Sequence, residues 1–326
     1  MKHPKIIFID WSAYSSRTDS LARKTSAKPF YLGKNVRNKS AIFSLLSYLP
    51  KSVKNIELVF QHRPNVIIIK NTQWIIALVN IILGKIIRAK VVFDSHSCAF
   101  DHPFMKYPLF LSKFFARHAF LSIVTNNFHE KLLESVKARA IVITDIPSEE
   151  EMASLRRLNL SNKFNICYIC TFSNDEPYLE VFNAARKLEN IQIYVTGNYR
   201  KAKIDISRYI NVQFMDFLPN QEYKALLNSV DAIITLTTRE YTMQRGGSEA
   251  ISVRKPLITS DTKMLRTYFK RGTVFAKPDE QNIKEAIENL KRRYEFYLDE
   301  VSKFSVERRS NFKSKLEELR KELGVK

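Results

Sequence analysis

The chain has 326 residues, 45% of them hydrophobic, which is enough for two domains that each bury a core, so a disordered chain is not expected. Lys and Arg number 53 against 33 Asp and Glu, and the formal net charge of +20 favours anionic partners: nucleic acid, acidic lipid headgroups or phosphorylated small molecules. The excess is denser in residues 1–150, where 22 basic residues stand against 10 acidic ones, but charge alone does not choose among these partners.

The first half alternates short β-rich runs with segments of helical periodicity. The predicted strands are Ile6–Asp10, Phe30–Leu32, Val66–Lys70, Val91–Asp94, Leu121–Thr125 and Ile141–Thr144. The predicted helices are Thr18–Lys24, Ala41–Leu49 (ended by Pro50), Trp74–Ile87, Pro108–His118 and Phe128–Val136. No apolar run reaches the roughly 20 residues that a spanning helix needs, so no transmembrane segment is expected.

The second half repeats this alternation. Strands are predicted at Ile166–Cys170, Ile191–Val195, Val212–Phe214, Ala232–Leu236, Pro256–Thr259 and Thr273–Phe275. Helices are predicted at Tyr178–Leu188, Gln221–Ser229, Ser248–Val253, Lys263–Phe269 and from Asn282 onward. Apolar strands separated by helices indicate a parallel sheet covered on both faces, and ligands of such sheets bind beyond the carboxyl ends of the strands.

Two such halves predict an α/β protein with two Rossmann-like, doubly wound domains that face each other across a cleft. The expected boundaries are residues 1–150 for the first domain, 151–290 for the second and 291–326 for a charged helical segment that could cross back to the first domain. Cys167 and Cys170 form a C-x-x-C within an apolar strand, where residues three apart point to opposite faces. This placement favours buried core thiols over a redox pair or a zinc site.

The segment from Thr237 to Lys255 is the richest in polar groups that could bind a ligand. It follows a buried strand and leads into a helix predicted to begin near Ser248, whose free amides and macrodipole would attract an anion. Gly246 and Gly247 would let the backbone approach that anion, Arg245 could bind a diphosphate, and Glu249 could accept both hydroxyls of a ribose. The alternative is structural: Ser248 as an N-cap and Glu249 as a carboxylate that complements the helix dipole.

Residues 211–260 resemble the donor-binding half of the family 4 glycosyltransferases, which have the GT-B fold. The matching motifs are Val230-Asp231-Ala232, Glu249-Ala250 and Lys255-Pro256-Leu257-Ile258, and the resemblance extends over residues 5–290, most sharply over 163–275. The family places a first acidic residue eight positions before the second, where this chain has Tyr241. Glu240 stands one position further back and is the candidate to replace it.

The resemblance implies roles for further residues in both halves. Gly197 corresponds to the turn glycine beside the nucleotide. The family's basic pair after the first strand of this half is not evident, so Arg200, Lys201 or Arg245 would neutralise the diphosphate. His96, after the strand that ends in Asp94-Ser95, is assigned the catalytic histidine that reaches the donor sugar, with His102 as its competitor. In the loop of residues 11–18, Ser15, Ser16 and Arg17 are assigned contacts to acceptor or phosphate.

The predicted helix Pro108–His118 is basic and amphipathic. Lys106, Lys113, Phe114 and Arg117 could bind it to an acidic membrane surface, while the alternative is a core helix with its basic face in water. The second alternative is the commoner one, but the basic excess of this half and the lipid-linked acceptors of related enzymes support the first, and both alternatives stay open. The first alternative implies a cytoplasmic protein, peripheral at the inner face of the cell membrane.

The expected activity is therefore that of a retaining glycosyltransferase, which moves a sugar from a nucleoside diphosphate sugar to a glycan, lipid-linked or other hydroxyl acceptor in polysaccharide or glycoconjugate biosynthesis. The family needs no active-site metal, and no cofactor is expected. A nucleic-acid-binding protein would explain the charge, but the chain has no zinc finger, RNP-type strand or basic region with heptads. A sugar-nucleotide epimerase on the same fold is the remaining alternative.

Overall fold

A computed structural model describes residues 4–33, 48–95, 99–100, 108–144 and 157–325. Contacts between Cα atoms group the chain into two units, the first made of Met1–Thr144 and Phe312–Lys326 and the second of Asp145–Asn311. The division places the end of the C-terminal helical segment with the first unit.

The first unit contains one parallel sheet with strand order β2-β1-β3-β4-β5-β6. Its strands are β1 (Ile6–Asp10), β2 (Lys28–Tyr31), β3 (Val66–Lys70), β4 (Lys90–Ser95), β5 (Leu121–Val124) and β6 (Ala140–Val142). Its helices are α1 (Ser16–Lys24), α2 (Tyr48–His62), α3 (Trp74–Ile87), α4 (Leu109–His118) and α5 (Asn127–Glu134).

The second unit also contains one parallel sheet, with strand order β12-β11-β10-β7-β8-β9. Its strands are β7 (Phe164–Tyr168), β8 (Ile191–Thr196), β9 (Val212–Asp216), β10 (Ala232–Thr235), β11 (Leu257–Ser260) and β12 (Thr273–Ala276). The helices are α6 (Tyr178–Arg186), α7 (Asn220–Ser229), α8 (Arg245–Ser252), α9 (Lys263–Tyr268) and α10 (Glu280–Arg292), followed by α11 (Tyr294–Leu323). Both sheets confirm the predicted doubly wound α/β architecture.

Successive side chains of the strands in the first sheet point to opposite faces, and helices cover both faces. Ile7 and Ile9 of β1 pack with the layer of α2 to α5, whereas Ile6 and Phe8 pack with α1 and the end of α11, where Leu319 contributes. Sheets buried on both faces are built from strands that are apolar throughout, as these are.

One predicted helix boundary is wrong. The sequence predicts a helix that ends at Pro50, but Pro50 lies in the first turn of α2, which continues to His62. Proline is tolerated there because its missing N–H would have no intrahelical acceptor. Residues 41–47 of the predicted helix lie outside the described residues.

Among the described residues no helix is both long and apolar enough to cross a bilayer. Cys167 and Cys170 are both buried and free, and burial raises the pKa of each thiol. This agrees with the prediction of core thiols.

Candidate functional site

The loops at the carboxyl edge of the second sheet meet through Gly197, which follows β8. Its φ of +95° lies in the region that favours glycine, and a Cβ there would overlap the carbonyl oxygen of Cys170 in the loop after β7. Its amide also donates to the carbonyl of Asp216, at the end of β9 (2.9 Å). Gly197 therefore allows the ends of β7, β8 and β9 to approach one another. It lies in the turn after β8, where the sequence predicts a turn glycine.

The carboxylates of Glu176 and Asp175 hold the loop after β7 in place by hydrogen bonds. In related glycosyltransferases this loop carries the basic pair that is absent from this sequence. Glu176 Oε2 accepts from the amides of Thr171 and Ser173, each at 2.9 Å. Asp175 Oδ2 accepts from the hydroxyl of Thr237, after β10, at 2.9 Å. Neither role is among the predictions from the sequence, although Asp175 belongs to a residue type that often hydrogen-bonds within turns.

The predicted cations Arg200 and Lys201 lie on a short 3₁₀ turn beside these loops and are exposed. Arg200 forms an ion pair with Asp216 and lies over the ring of Tyr199 at 5.0 Å from its centroid. Lys201 Nζ is 3.5 Å from the carbonyl oxygen of Thr171. Both cations therefore lie at the carboxyl edge of the second sheet, and their contact with a diphosphate stays a prediction.

Helix α8 begins earlier than predicted, at Arg245, with Gln244 as its N-cap residue. Gln244 Nε2 donates to the carbonyl of Leu236 at 2.7 Å, which holds this start against the end of β10. Ser248 is therefore not the N-cap. It is buried and lines a small pocket with Tyr268 and Arg308 inside the second unit.

Gly247 is needed for packing, and the role of Gly246 and Gly247 in admitting a ligand to the backbone stays a prediction. A Cβ on Gly247 would lie 2.5 Å from Cζ of the fully buried Phe269. A Cβ on Gly246 would meet only the side chain of Ile169, at 3.0 Å or more. Real Cβ atoms do not approach within 2.5 Å of another carbon, so the first contact requires glycine.

We expect Gly247→Ala to lower the free energy of unfolding of the second unit by about 1–3 kcal/mol, the usual cost of overpacking a close-packed interior. Gly246→Ala is the matched control: the Ile169 side chain can shift, and alanine has the better helix propensity, by about 1 kcal/mol. Thermal unfolding followed by circular dichroism measures both. If Gly247→Ala keeps its midpoint but loses nucleotide binding, the ligand-approach interpretation is supported.

Glu249 is buried near the middle of α8 and both of its carboxylate oxygens are engaged. Oε2 accepts from the hydroxyl of Tyr223 on α7 (2.5 Å), and Oε1 accepts from Nε of Arg245 (2.9 Å). Burial, followed by the charge of Glu249, raises the pKa of Tyr223 well above its ordinary value, so this phenol stays protonated as the donor. Because a carboxylate oxygen can accept more than one hydrogen bond, both oxygens keep capacity for a ligand hydroxyl.

Glu240, the candidate for the family's first acidic residue, lies in the exposed loop after β10. Its Oε1 accepts from the amide of Lys263, the first residue of α9, at 2.8 Å. A carboxylate in that position complements the positive end of the helix. The geometry accounts for Glu240 as a group that holds α9 against the loop, and a role with a sugar remains a prediction.

In the first unit, Ser15 is the N-cap of α1, its hydroxyl accepting from the amide of Thr18 at 3.4 Å, and Ser16 is the first helical residue. Arg17 lies beneath them and is buried. Its Nε and Nη2 bind Asp94 at the end of β4, at 3.1 and 2.9 Å, and Nη2 also donates to the carbonyl of Ile143 at 3.0 Å.

The guanidinium of Arg17 is enclosed with Asp94, and neither side chain is more than 3% exposed, so the structure gives Arg17 a packing role and its contact with a phosphate stays a prediction. The polar edge of this sheet continues with Asp10, which accepts from Thr18 Oγ1 at 2.8 Å and pairs with Lys70 at 3.4 Å. Sequence analysis did not assign a role to Lys70.

Two predicted residues, His96 and Lys106, lie outside the described residues, as does His102. His96 follows the last residue of β4, Ser95. On α4, Phe114 and Arg117 are exposed and Lys113 is partly exposed, so all three side chains reach the surface of the first unit. Within the described part of the chain no group of three or more His, Cys, Asp or Glu side chains could hold a metal ion.

No family model matches the sequence, and no curated protein matches it either. The structure is similar to that of HepE from Anabaena in complex with UDP-glucose, with a TM-score of 0.75, 14% identity, and coverage of 97% of this chain and 99% of that one. It is equally similar to sucrose-phosphate synthase from Thermosynechococcus elongatus, with a TM-score of 0.75, 14% identity and 97% coverage of both chains. The fold is GT-B.

The GT-B fold also occurs in enzymes that are not transferases. A UDP-N-acetylglucosamine 2-epimerase matches with a lower TM-score of 0.62, 14% identity, and coverage of 91% of this chain and 90% of that one. Similarity at this level of identity establishes the fold, and the choice of reaction depends on the residues of the site.

Proposed function

We propose that the chain is a glycosyltransferase that moves a sugar from a nucleoside diphosphate sugar to a hydroxyl acceptor, with retention of configuration. The first unit would bind the acceptor and the second unit the donor. The observation that carries the proposal is the buried carboxylate of Glu249 at the carboxyl edge of a GT-B second sheet, held by Tyr223 and Arg245. HepE, which has the same fold, binds UDP-glucose.

The groups around Glu249 suit a nucleoside diphosphate. A ribose offers two adjacent hydroxyl donors, and the two oxygens of Glu249 are fixed acceptors that would not need to reorganise when the ribose binds. The diphosphate would lie toward the start of α8 and toward Arg200 and Lys201, where backbone amides and cations stabilise the leaving charge. Arg245 would hold Glu249 in place, and its exposed part could also reach a phosphate.

The test is a thermal-shift screen with UDP-, GDP- and other nucleotide sugars, followed by transfer assays with the donor that stabilises the protein. A transferase releases the nucleoside diphosphate only when an acceptor is present, and we expect it to do so in the presence of EDTA. An epimerase would convert the sugar nucleotide to a stereoisomer with no acceptor added, and that outcome would replace the proposal.

His96→Ala should bind the donor with unchanged affinity while losing most of its transfer activity, because the proposed role of His96 is contact with the sugar during transfer. A loss of about 100-fold or more in kcat is expected for a group that acts in the transition state. The control is His102→Ala. If His96→Ala transfers as the wild type does and His102→Ala does not, the role belongs to His102.

The acceptor and the location are also proposed. A lipid-linked acceptor, with the enzyme peripheral at the cytoplasmic face of a membrane, is supported by the exposed side chains of Phe114 and Arg117 and the partly exposed side chain of Lys113 on α4. An exposed aromatic ring next to cations is the arrangement of a helix that lies in a membrane interface.

A further inference from the structure

Three neighbouring helices of the first unit leave an apolar face uncovered. α2 packs against α3, and α3 against α4, in the layer on one side of the sheet. Their inner sides bury Val59, Ile76 and Phe115 in the same core cluster. Their outer sides are not polar, as those of an ordinary surface layer would be.

The apolar side chains on the outer sides follow helical spacing. On α2 they recur at intervals of four, three and four residues, and on α3 they are four apart. The set is Leu49, Val53, Ile56, Phe60, Ile82, Ile86, Leu109, Phe110 and Phe114, and each is between 38% and 73% exposed. We call this set the apolar platform.

The platform is a concentration and not a random scatter. It holds half of the large hydrophobic residues that are exposed in the described part of the chain, on three helices of which the middle one, α3, packs against both others. Isolated exposed hydrophobic side chains are normal on a soluble protein, but a contiguous patch of this kind marks an interaction surface.

The charges on the three helices of the platform are mainly basic. Lys54, Lys85, Lys113 and Arg117 stand between its apolar side chains, and Glu57 is the acidic residue of the three helices. A bilayer with anionic headgroups matches this combination: its acyl region takes the apolar side chains and its surface attracts the cations. A second copy would bring two basic faces of a chain of net charge +20 together, which their repulsion opposes.

We infer that the platform formed by α2, α3 and α4 docks the first unit on an anionic bilayer, with α2 as a principal contact and α4 as only one part of it. This deepens the peripheral location proposed above and rests on it, since docking would present the first unit to an acceptor carried by a lipid. The docking itself requires neither donor nor transfer.

The test is co-sedimentation with vesicles of phosphatidylcholine, with and without phosphatidylglycerol. The wild type should bind only the anionic vesicles. A platform variant, Leu49→Gln/Val53→Gln/Phe60→Gln, changes only exposed positions of α2 and should bind at least about tenfold more weakly, because amphipathic helices bind in proportion to the apolar area they insert. A charge variant, Lys85→Gln/Lys113→Gln/Arg117→Gln, should also bind more weakly and lose its dependence on phosphatidylglycerol.

The matched control is Phe296→Gln/Val306→Gln, two exposed apolar positions on α11 in the second unit, which should bind vesicles as the wild type does. The inference is overturned if the platform variant binds like the control, or if light scattering shows that the platform variant dissociates an oligomer while its vesicle binding is unchanged. Donor-dependent thermal stabilisation is measured on the same variants. It should be unchanged, so a failure of docking and a failure of the proposed function give separate results.

Discussion

Replacing Glu249 with glutamine should lower kcat/KM for the nucleotide sugar by about 100-fold or more and remove the thermal stabilisation by that donor. Hydrogen bonds to a charged group contribute about 1.5–3 kcal/mol each, and the proposed contact to a ribose includes two of them. A loss of about 3 kcal/mol in transition-state binding corresponds to the expected change in kcat/KM. Glutamine keeps the shape of the side chain, so the change is chiefly one of charge and hydrogen bonding.

Glu249 also binds Tyr223 and Arg245, so its replacement could lower activity by destabilising the second unit and not by removing a ligand contact. Tyr223→Phe separates the two effects, because it removes the donor to Oε2 and leaves the carboxylate in place. If the contribution of Glu249 is structural, Tyr223→Phe and Glu249→Gln will have similar kinetics and similar midpoints of unfolding. If Glu249 binds the ribose, Tyr223→Phe will keep most of its donor affinity.

The measurements are donor titrations by thermal shift and steady-state transfer kinetics for the wild type and both variants. Circular dichroism without donor reports whether each variant is folded. Turnover of Glu249→Gln at the wild-type rate would reject the ribose assignment and leave Glu249 as a buried carboxylate that anchors α7 to α8.

The strands were predictable because their apolar runs are local. All twelve predicted strands have a counterpart, and β1 and β3 begin and end at the predicted residues. The start of α8 was not predictable in the same way. Two consecutive glycines disfavour a helix by about 1 kcal/mol each, and the contact of Gly247 with Phe269, which the sequence does not reveal, explains why the helix keeps the second of them.

The C-terminal part of α2 was missed for a different reason. Leu49, Val53, Ile56 and Phe60 have clear helical spacing, but Pro50 within this run is a usual sign of a helix end. In a globular protein such a stripe would be expected to face the core, whereas here it faces outward. Periodicity therefore identifies a helix but does not say which of its sides is buried when both are apolar.

Ion pairs between residues far apart in the chain are the feature hardest to predict from a single sequence. Arg17 and Asp94 are 77 positions apart, and each has an ordinary local interpretation, as a loop cation and as a strand-ending acid. Only the parallel order of β1, β3 and β4 brings the loop after β1 beside the end of β4. The pairing of Arg17 with Asp94 therefore depends on the packing of the sheet, and the assignment of Arg17 to a phosphate stays a prediction.

That pair leads to the largest expected effect on stability. Arg17→Ala should lower the free energy of unfolding of the first unit by about 3–5 kcal/mol, because it leaves the buried carboxylate of Asp94 without its ion-pair partner. Asp94→Asn should also be destabilising, because it leaves the buried guanidinium of Arg17 without its ion-pair partner. The double variant Arg17→Met/Asp94→Leu removes both charges and should recover much of the loss, since well-packed apolar residues commonly replace a buried pair at little cost.

Urea unfolding followed by tryptophan fluorescence is suited to this measurement, because the two tryptophans of the chain, Trp11 and Trp74, both lie in the first unit. The second unit has no tryptophan and does not contribute to the signal. Arg117→Ala, an exposed cation of the same unit, is the control and should change stability by no more than about 0.5 kcal/mol. If Arg17→Ala unfolds like this control but loses stabilisation by the nucleotide sugar, Arg17 is a phosphate ligand after all and the buried pair is not what holds the loop after β1.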